Sequence, residues 1–191
     1  MSSPNQLRDR FFEHGLQILA EEGYAGLKLI PLCESLGITT GAFYHSFANW
    51  KDYTDQLLAN WHVEQTARLV ETAKGKIDPL ERLEVLLQLT LELPHRAESA
   101  IRAWSAADAD VAVVQKSVDK ERYEVIFPAF LELIGDPVLA DHYSRVGIYL
   151  LVGFEQAESL ERPESLLWGL TQLKDAAARH RDRASVRESA H

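Results

Sequence analysis

Residues 35–47 read SLGITTGAFYHSF. Gly37 supplies a tight turn between two short helical stretches, 29–36 and 40–46, and the second stretch is rich in small and polar side chains. Cys33 and Leu36 are expected to bury beneath the second helix, Ile38 to plug the core after the turn, and Phe43 and Phe47 to point inward. Thr39 stands where it would cap the next helix. Thr40, Gly41 and Ala42 are small enough to let that helix approach the floor of a DNA major groove, while Tyr44, His45 and Ser46 can reach base edges or phosphates. Two short helices joined in this way are the sequence form of a helix-turn-helix. The same spacing also fits a plain αα-hairpin without a nucleic-acid role, with Tyr44 and His45 packed between domains.

Helical signals continue on both sides. Residues 5–22 place Phe11, Gly15, Ile18 and Leu19 on one face and end at Gly23. Pro31 belongs in the first turn of the second helix, because its ring cannot sit deeper. Asn49 followed by Asp52 reads as an N-cap opening a long helix to about 74. Asp78-Pro79 and Asp136-Pro137 repeat a capping aspartate followed by proline at the first helical position. They open helices at 79–93 and 137–160, and others are expected at 97–107, 111–134 and 163–181. Sustained strand alternation and hairpin dipeptides are absent. The expectation is an all-α chain of about nine helices. Residues 1–50 form a three-helix helix-turn-helix domain, 51–182 a larger helical regulatory domain, and 183–191 a disordered tail.

Composition narrows the function. The 191 residues carry a formal net charge of −9. Residues 1–62 hold 4 Lys/Arg against 7 Asp/Glu, 63–173 hold 11 against 19, and 174–191 hold 5 against 3. A polyanion binder of the bulk-electrostatic kind is excluded, so DNA recognition must rest on a few well-placed groups. A single cysteine rules out an intrachain disulfide and a Cys-rich metal site. The seven histidines show no close ligand spacing, and no nucleophile elbow or phosphate loop occurs. No metal, cofactor or enzymatic activity is expected. With no apolar run long enough to span a bilayer and no secretory pattern at the start, the expected compartment is the cytoplasm.

The stretch EEGYAGLKLIPLCESLGITTGAFYHSFANWKDYTDQLL resembles the DNA-binding region of TetR-family transcriptional repressors. The likeness lies in the first helix ending in Gly-aromatic, the turn at Leu-Gly-Ile-Thr, the Gly-x-x-Tyr-x-x-Phe of 41–47, and a fourth helix opening near a Lys. It covers about residues 7–58. It implies an operator contact set of Lys28, Thr39, Thr40, Gly41, Ala42, Tyr44, His45, Ser46 and Lys51. The sequence departs from the family at three points. A Thr before the second helix is missing, leaving Lys28 to contact phosphate there. Cys33 replaces a usual alanine. Trp50 occupies the place of the Lys that opens the fourth helix, and Lys51, turned by about 100° on the helix, follows it.

The resemblance further implies a homodimer on a palindromic double-stranded operator, released by a small-molecule effector. Trp104, Tyr123, Phe127 and Phe130 are expected to wall an apolar ligand cavity, with ordinary core as the alternative. The acidic middle favours a cationic or neutral ligand, although a solvated face explains it equally. The last two helices carry apolar stripes: Val146, Tyr149, Leu150, Gly153 and Phe154 on one, Leu166, Leu167, Leu170 and Leu173 on the other. By resemblance these pair with their copies across a two-fold axis; an intrachain core is the competing explanation. A helical binding or scaffold protein without DNA recognition is the alternative function.

Overall fold

A computed structural model describes residues 4–67, 71–73, 75, 78–157 and 162–188. Among the described residues the chain forms nine α-helices and no strand, as expected. They are α1 (Pro4–Glu22), α2 (Leu29–Leu36), α3 (Thr40–Ser46), α4 (Trp50–His62), α5 (Pro79–Leu91), α6 (His95–Ser105), α7 (Ala109–Ile134), α8 (Pro137–Gln156) and α9 (Pro163–Glu188).

Local chemistry sets most of the boundaries. Gly37 ends α2 at φ 67°, in the left-handed region that side chains disfavour. Its N–H donates to Glu34 O and the Ile38 N–H donates to Cys33 O, a Schellman closure that carries Ile38 back over α2. Asn49 Oδ1 accepts from Asp52 N at 3.0 Å while Asp52 Oδ2 accepts from Ala48 N at 2.8 Å. Two otherwise orphaned donors at the start of α4 are thereby satisfied reciprocally. Asp78 and Asp136 cap α5 and α8 as their sequence context predicts, accepting from Leu80 N at 2.7 Å and Val138 N at 2.9 Å.

Several boundaries differ from expectation, and some of the expected ends lie outside the described residues. Regular α4 stops at His62 and passes into a π-helical turn, Val63–Ala67; part of the expected continuation to 74 lies outside the described residues. The expected end of α8 at 160 also lies outside them. α9 continues to Glu188, past the point where polar composition suggested a tail, and residues 189–191 lie outside the described residues.

The chain groups into two compact units. Met1–Glu64 with Pro94–Lys116 form the first, so α4, α6 and the start of α7 join the helix-turn-helix, where the sequence suggested a boundary near residue 50. Its centre is aromatic. Phe11, fully buried, meets Phe43 and Phe47 edge-on at centroid distances of 5.6 and 5.3 Å, and Tyr53 closes on Phe47 at 5.1 Å. α6 packs against α1, and Trp61 Nε1 donates to the buried Glu98 carboxylate at 2.8 Å. Gln65–Leu93 with Ser117–His191 form the second unit. There Leu83, Phe130, Leu133, Ala140 and Ala177 build a core between α5, α7, α8 and α9, and Leu93, Leu151 and Leu166 a smaller one.

Candidate nucleic-acid interface and ligand cavity

The core anchors α3 through one face and leaves the other in water. Phe43 is fully buried and Phe47 nearly so, whereas Thr39, Thr40, Gly41, Tyr44 and His45 are exposed and Ala42 half-buried. Tyr44, 56% exposed, stands edge-on to Phe43 at 5.3 Å, so its hydroxyl end projects outward from a fixed ring. Thr39 occupies the N-cap position, but its hydroxyl makes no capping bond; the expected side-chain cap is absent. Ser46 is half-buried and its hydroxyl donates back to Ala42 O at 3.4 Å, which turns it toward its own helix.

A residue the sequence reading overlooked fixes the far end of this helix. Arg8 on α1 donates through Nε and Nη2 to Ser46 O at 3.1 and 2.7 Å and lies 5.3 Å from the Phe47 ring centroid. A cation on the last-turn carbonyl is favourable there, so Arg8 is a clamp on α3. Its signal was available only as a charged residue on the buried side of an amphipathic stripe. Cys33 is buried, and desolvation pushes its thiol up, which leaves it a small apolar core group.

The two lysines behave differently. Lys28 is exposed just before α2. Lys51 is exposed too, but its ammonium is 2.8 Å from Asp55 Oδ1 and 3.0 Å from Asp110 Oδ2. Hydrogen bonds to Asp55 and then Asp110 hold it charged above the ordinary lysine range. As folded, Lys51 is engaged by carboxylates of its own chain. Trp50, the first residue of α4, stacks on Phe43 at 5.9 Å.

The second unit contains an aliphatic cavity of about 70 Å³. α5 contributes Leu83, Leu86, Leu87 and Thr90; α7 contributes Arg122, Val125, Ile126 and Phe130. Gly147, Ile148 and Leu151 of α8 and Leu170, Leu173 and Lys174 of α9 complete the wall with Leu93. Of the four aromatics expected here, only Phe130 lines it. Tyr123 and Phe127 stack on each other at 5.6 Å on a different face of α7, where the Tyr123 hydroxyl donates to Asp141 at 2.7 Å and Arg145 lies over the ring. Trp104 belongs to the first unit, beside Trp50 and Tyr24. Arg122 and Lys174, both missed in the sequence, supply the cavity's charges. Lys174 hydrogen-bonds Glu84, whose carboxyl is held below its ordinary range chiefly by that bond.

The stripes of α8 and α9 divide. Leu166 is buried against Leu93 and Leu151, with Leu150, Phe154 and Leu170 packed on the same cluster, and Leu173 packs on the larger core. These five side chains serve the chain's own interior, because helical spacing swings them inward where α8 and α9 meet. A Cβ on Gly147 would touch Leu173 at 3.5 Å, and one on Gly169 would touch Leu150 at 3.6 Å. Val146 (42% exposed), Tyr149 (63%) and Gly153 face outward on α8, as do Leu167 (38%) and Trp168 (67%) on α9. Among the described residues no three His, Cys, Asp or Glu side chains converge to hold a metal ion, and no helix is long and apolar enough to cross a membrane.

No protein-family model matches the chain. The HTH-type transcriptional repressor KstR2 of Mycobacterium tuberculosis is 28% identical over 88 residues, 46% of this chain and 44% of that repressor, so the match spans less than half of the curated relative. A TetR-family transcriptional regulator from Agrobacterium tumefaciens superposes with a TM-score of 0.75 at 12% identity, covering 91% of this chain and 98% of that one. A transcriptional regulator from Saccharomonospora viridis, solved in complex with choline, gives 0.74 at 17% identity, covering 90% and 96%. The chain has the all-α fold of TetR-family regulators.

Proposed function

We propose that this protein is a ligand-responsive transcriptional regulator of the TetR type, a repressor that binds a palindromic operator as a homodimer. One observation carries the reading: α3 is clamped by Phe43, Phe47 and Arg8 yet presents Thr40, Tyr44 and His45 to solvent on one face. A helix anchored on one side and polar on the other is what entry into a major groove requires. Base-edge contacts from Tyr44, Thr40 and His45 supply specificity, with Lys28 on the phosphate backbone. An effector in the aliphatic cavity acts only through its different affinity for the binding and non-binding arrangements. A protein of the same fold solved in complex with choline supports a small-molecule effector.

The test is a titration of the full chain against the DNA upstream of its own gene at low salt. Sequence-selective retardation is expected, weakened about tenfold or more by Tyr44→Ala and by Thr40→Ala, as loss of a base contact implies. The competing reading, a helical scaffold without DNA recognition, draws on the net charge and on the engagement of Lys51. Absence of selective retardation, with both variants behaving like the parent, would establish that reading instead.

A further inference from the structure

The first unit holds a pocket of its own, of about 360 Å³. It is lined by the start of α4, the end of α6, the first turn of α7 and the segment between α1 and α2. Every lining residue belongs to the first unit. That volume falls within the usual span of small-molecule sites, roughly 300–1,000 Å³. Three aromatic side chains line it: Trp50 and Trp104, both half-buried, and Tyr24, 43% exposed. Buried Leu27, Leu58 and Val111 add aliphatic surface.

Charge at the pocket is unbalanced. Asp55, Asp108 and Asp110 line it against one cation, Lys51. Lys51 is shared between Asp55 and Asp110, so a single ammonium faces three carboxylates and two negative charges remain in excess. Asp108 caps α7 through Oδ1, accepting from Asp110 N at 2.9 Å and Val111 N at 3.4 Å. Its Oδ2 accepts no hydrogen bond from the described residues. Aromatic faces beside surplus carboxylate are the recognition chemistry of an organic cation. A neutral ligand would gain the rings alone, and an anion would meet the excess charge.

We propose that this pocket binds an organic monocation with an apolar body, an arylalkyl- or alkylammonium, its body against Trp50, Trp104 and Tyr24 and its head toward Asp108 and Asp110. The site is separate from the aliphatic cavity and requires neither an effector there nor DNA recognition. The Asp55 and Asp110 side chains are 54% and 72% exposed, and water screens charges placed so openly. The carboxylates therefore select the sign of the ligand's charge, while the rings and aliphatic side chains supply most of the affinity.

Calorimetric titration of the full chain with three ligands sharing a phenyl body tests this: 2-phenylethylammonium, 2-phenylethanol and 3-phenylpropanoate. The ammonium is expected to bind roughly five- to tenfold tighter than the alcohol, and the carboxylate more weakly than either. That preference should shrink as salt rises. Asp108→Asn combined with Asp110→Asn should erase it, because Lys51 and Asp55 then balance. Asparagine caps a helix about as well as aspartate, so the double variant keeps the start of α7. Trp104→Leu should weaken the ammonium and the alcohol alike, since it removes a ring and leaves the charges. Should Trp104→Leu fail to fold, the double variant still decides. No measurable binding of the ammonium, binding no tighter than that of the alcohol, or a preference that survives the double variant overturns the proposal. Binding indifferent to a folded Trp104→Leu chain overturns it too.

Discussion

At the scale of single residues, the first unit depends on a glycine that has no unusual backbone angle. A Cβ on Gly15 would lie 2.1 Å from the Tyr53 hydroxyl and 3.3 Å from Leu57 Cδ2. Tyr53 is fully buried and donates to Phe11 O at 3.1 Å, so it has no open space to retreat into. Alanine would favour the helix by about 1 kcal/mol, but overpacking costs about 1–3 kcal/mol and the displaced hydroxyl forfeits about 1 kcal/mol more. Gly15→Ala is therefore expected to lower unfolding stability by about 1–3 kcal/mol in urea denaturation. A neutral or stabilising result would mean that α1 and α4 can part without penalty. The sequence places Gly15 correctly on the inward stripe with Phe11 and Ile18, because 3.6-residue spacing is local. It says nothing of Tyr53, whose approach is a fact of packing between helices. The same divide separates Cys33, Leu36, Phe43 and Phe47, buried as their spacing predicts, from Arg8, whose partner Ser46 O lies on another element.

At the scale of elements, capping rules place the starts of α4, α5 and α8 well, since each depends on a few adjacent residues. Which face of a helix meets which neighbour is not local. Tyr123 and Phe127 invited a cavity reading because they are large and aromatic, yet Tyr123 meets Asp141 and Arg145, Phe127 stacks on Tyr123 and packs on the core, and α7 presents Arg122, Ile126 and Phe130 to the cavity instead. Lys51 raises the same question for the start of α4. It shares its ammonium with Asp55 one turn on and with Asp110 in the first turn of α7, so any phosphate must compete with these carboxylates. Exposed ion pairs contribute at most about 1 kcal/mol, which makes the competition close. Asp110→Asn is expected to raise operator affinity roughly two- to fivefold, the span such a pair allows. The slope of log affinity against log salt should steepen by about 0.9, one additional phosphate contact. The measurement is fluorescence anisotropy at several salt concentrations, run in parallel on Lys51→Ala. A gain that persists without Lys51 would show that removing an acid, rather than releasing this lysine, produced it.

At the scale of the whole molecule, net charge and exposed apolar surface oppose each other. Two copies carrying −9 each repel, and under the proposed function a chain with so little positive charge near α3 would gain operator affinity mainly by engaging two half-sites at once. An interface strong enough to overcome the repulsion must be apolar, and the outward side chains of α8 and α9 offer one in Val146, Tyr149, Leu167 and Trp168. Trp168 is the sharpest test. It is 67% exposed in the chain by itself, so replacing it removes little of the interior, and large aromatics dominate interface energies. Trp168→Glu is expected to weaken self-association by at least about 30-fold, from a central contact worth roughly 2 kcal/mol or more, and to lower operator affinity with it. Sedimentation velocity across a concentration series reads the first effect. Salt gives the two equilibria opposite signs: screening favours association of acidic copies and weakens phosphate contacts. The parent should therefore become more dimeric and bind DNA less tightly as salt rises. Trp168→Glu sedimenting as the parent does, at every concentration and salt, would remove this face of α8 and α9 from the dimer and return it to the solvent.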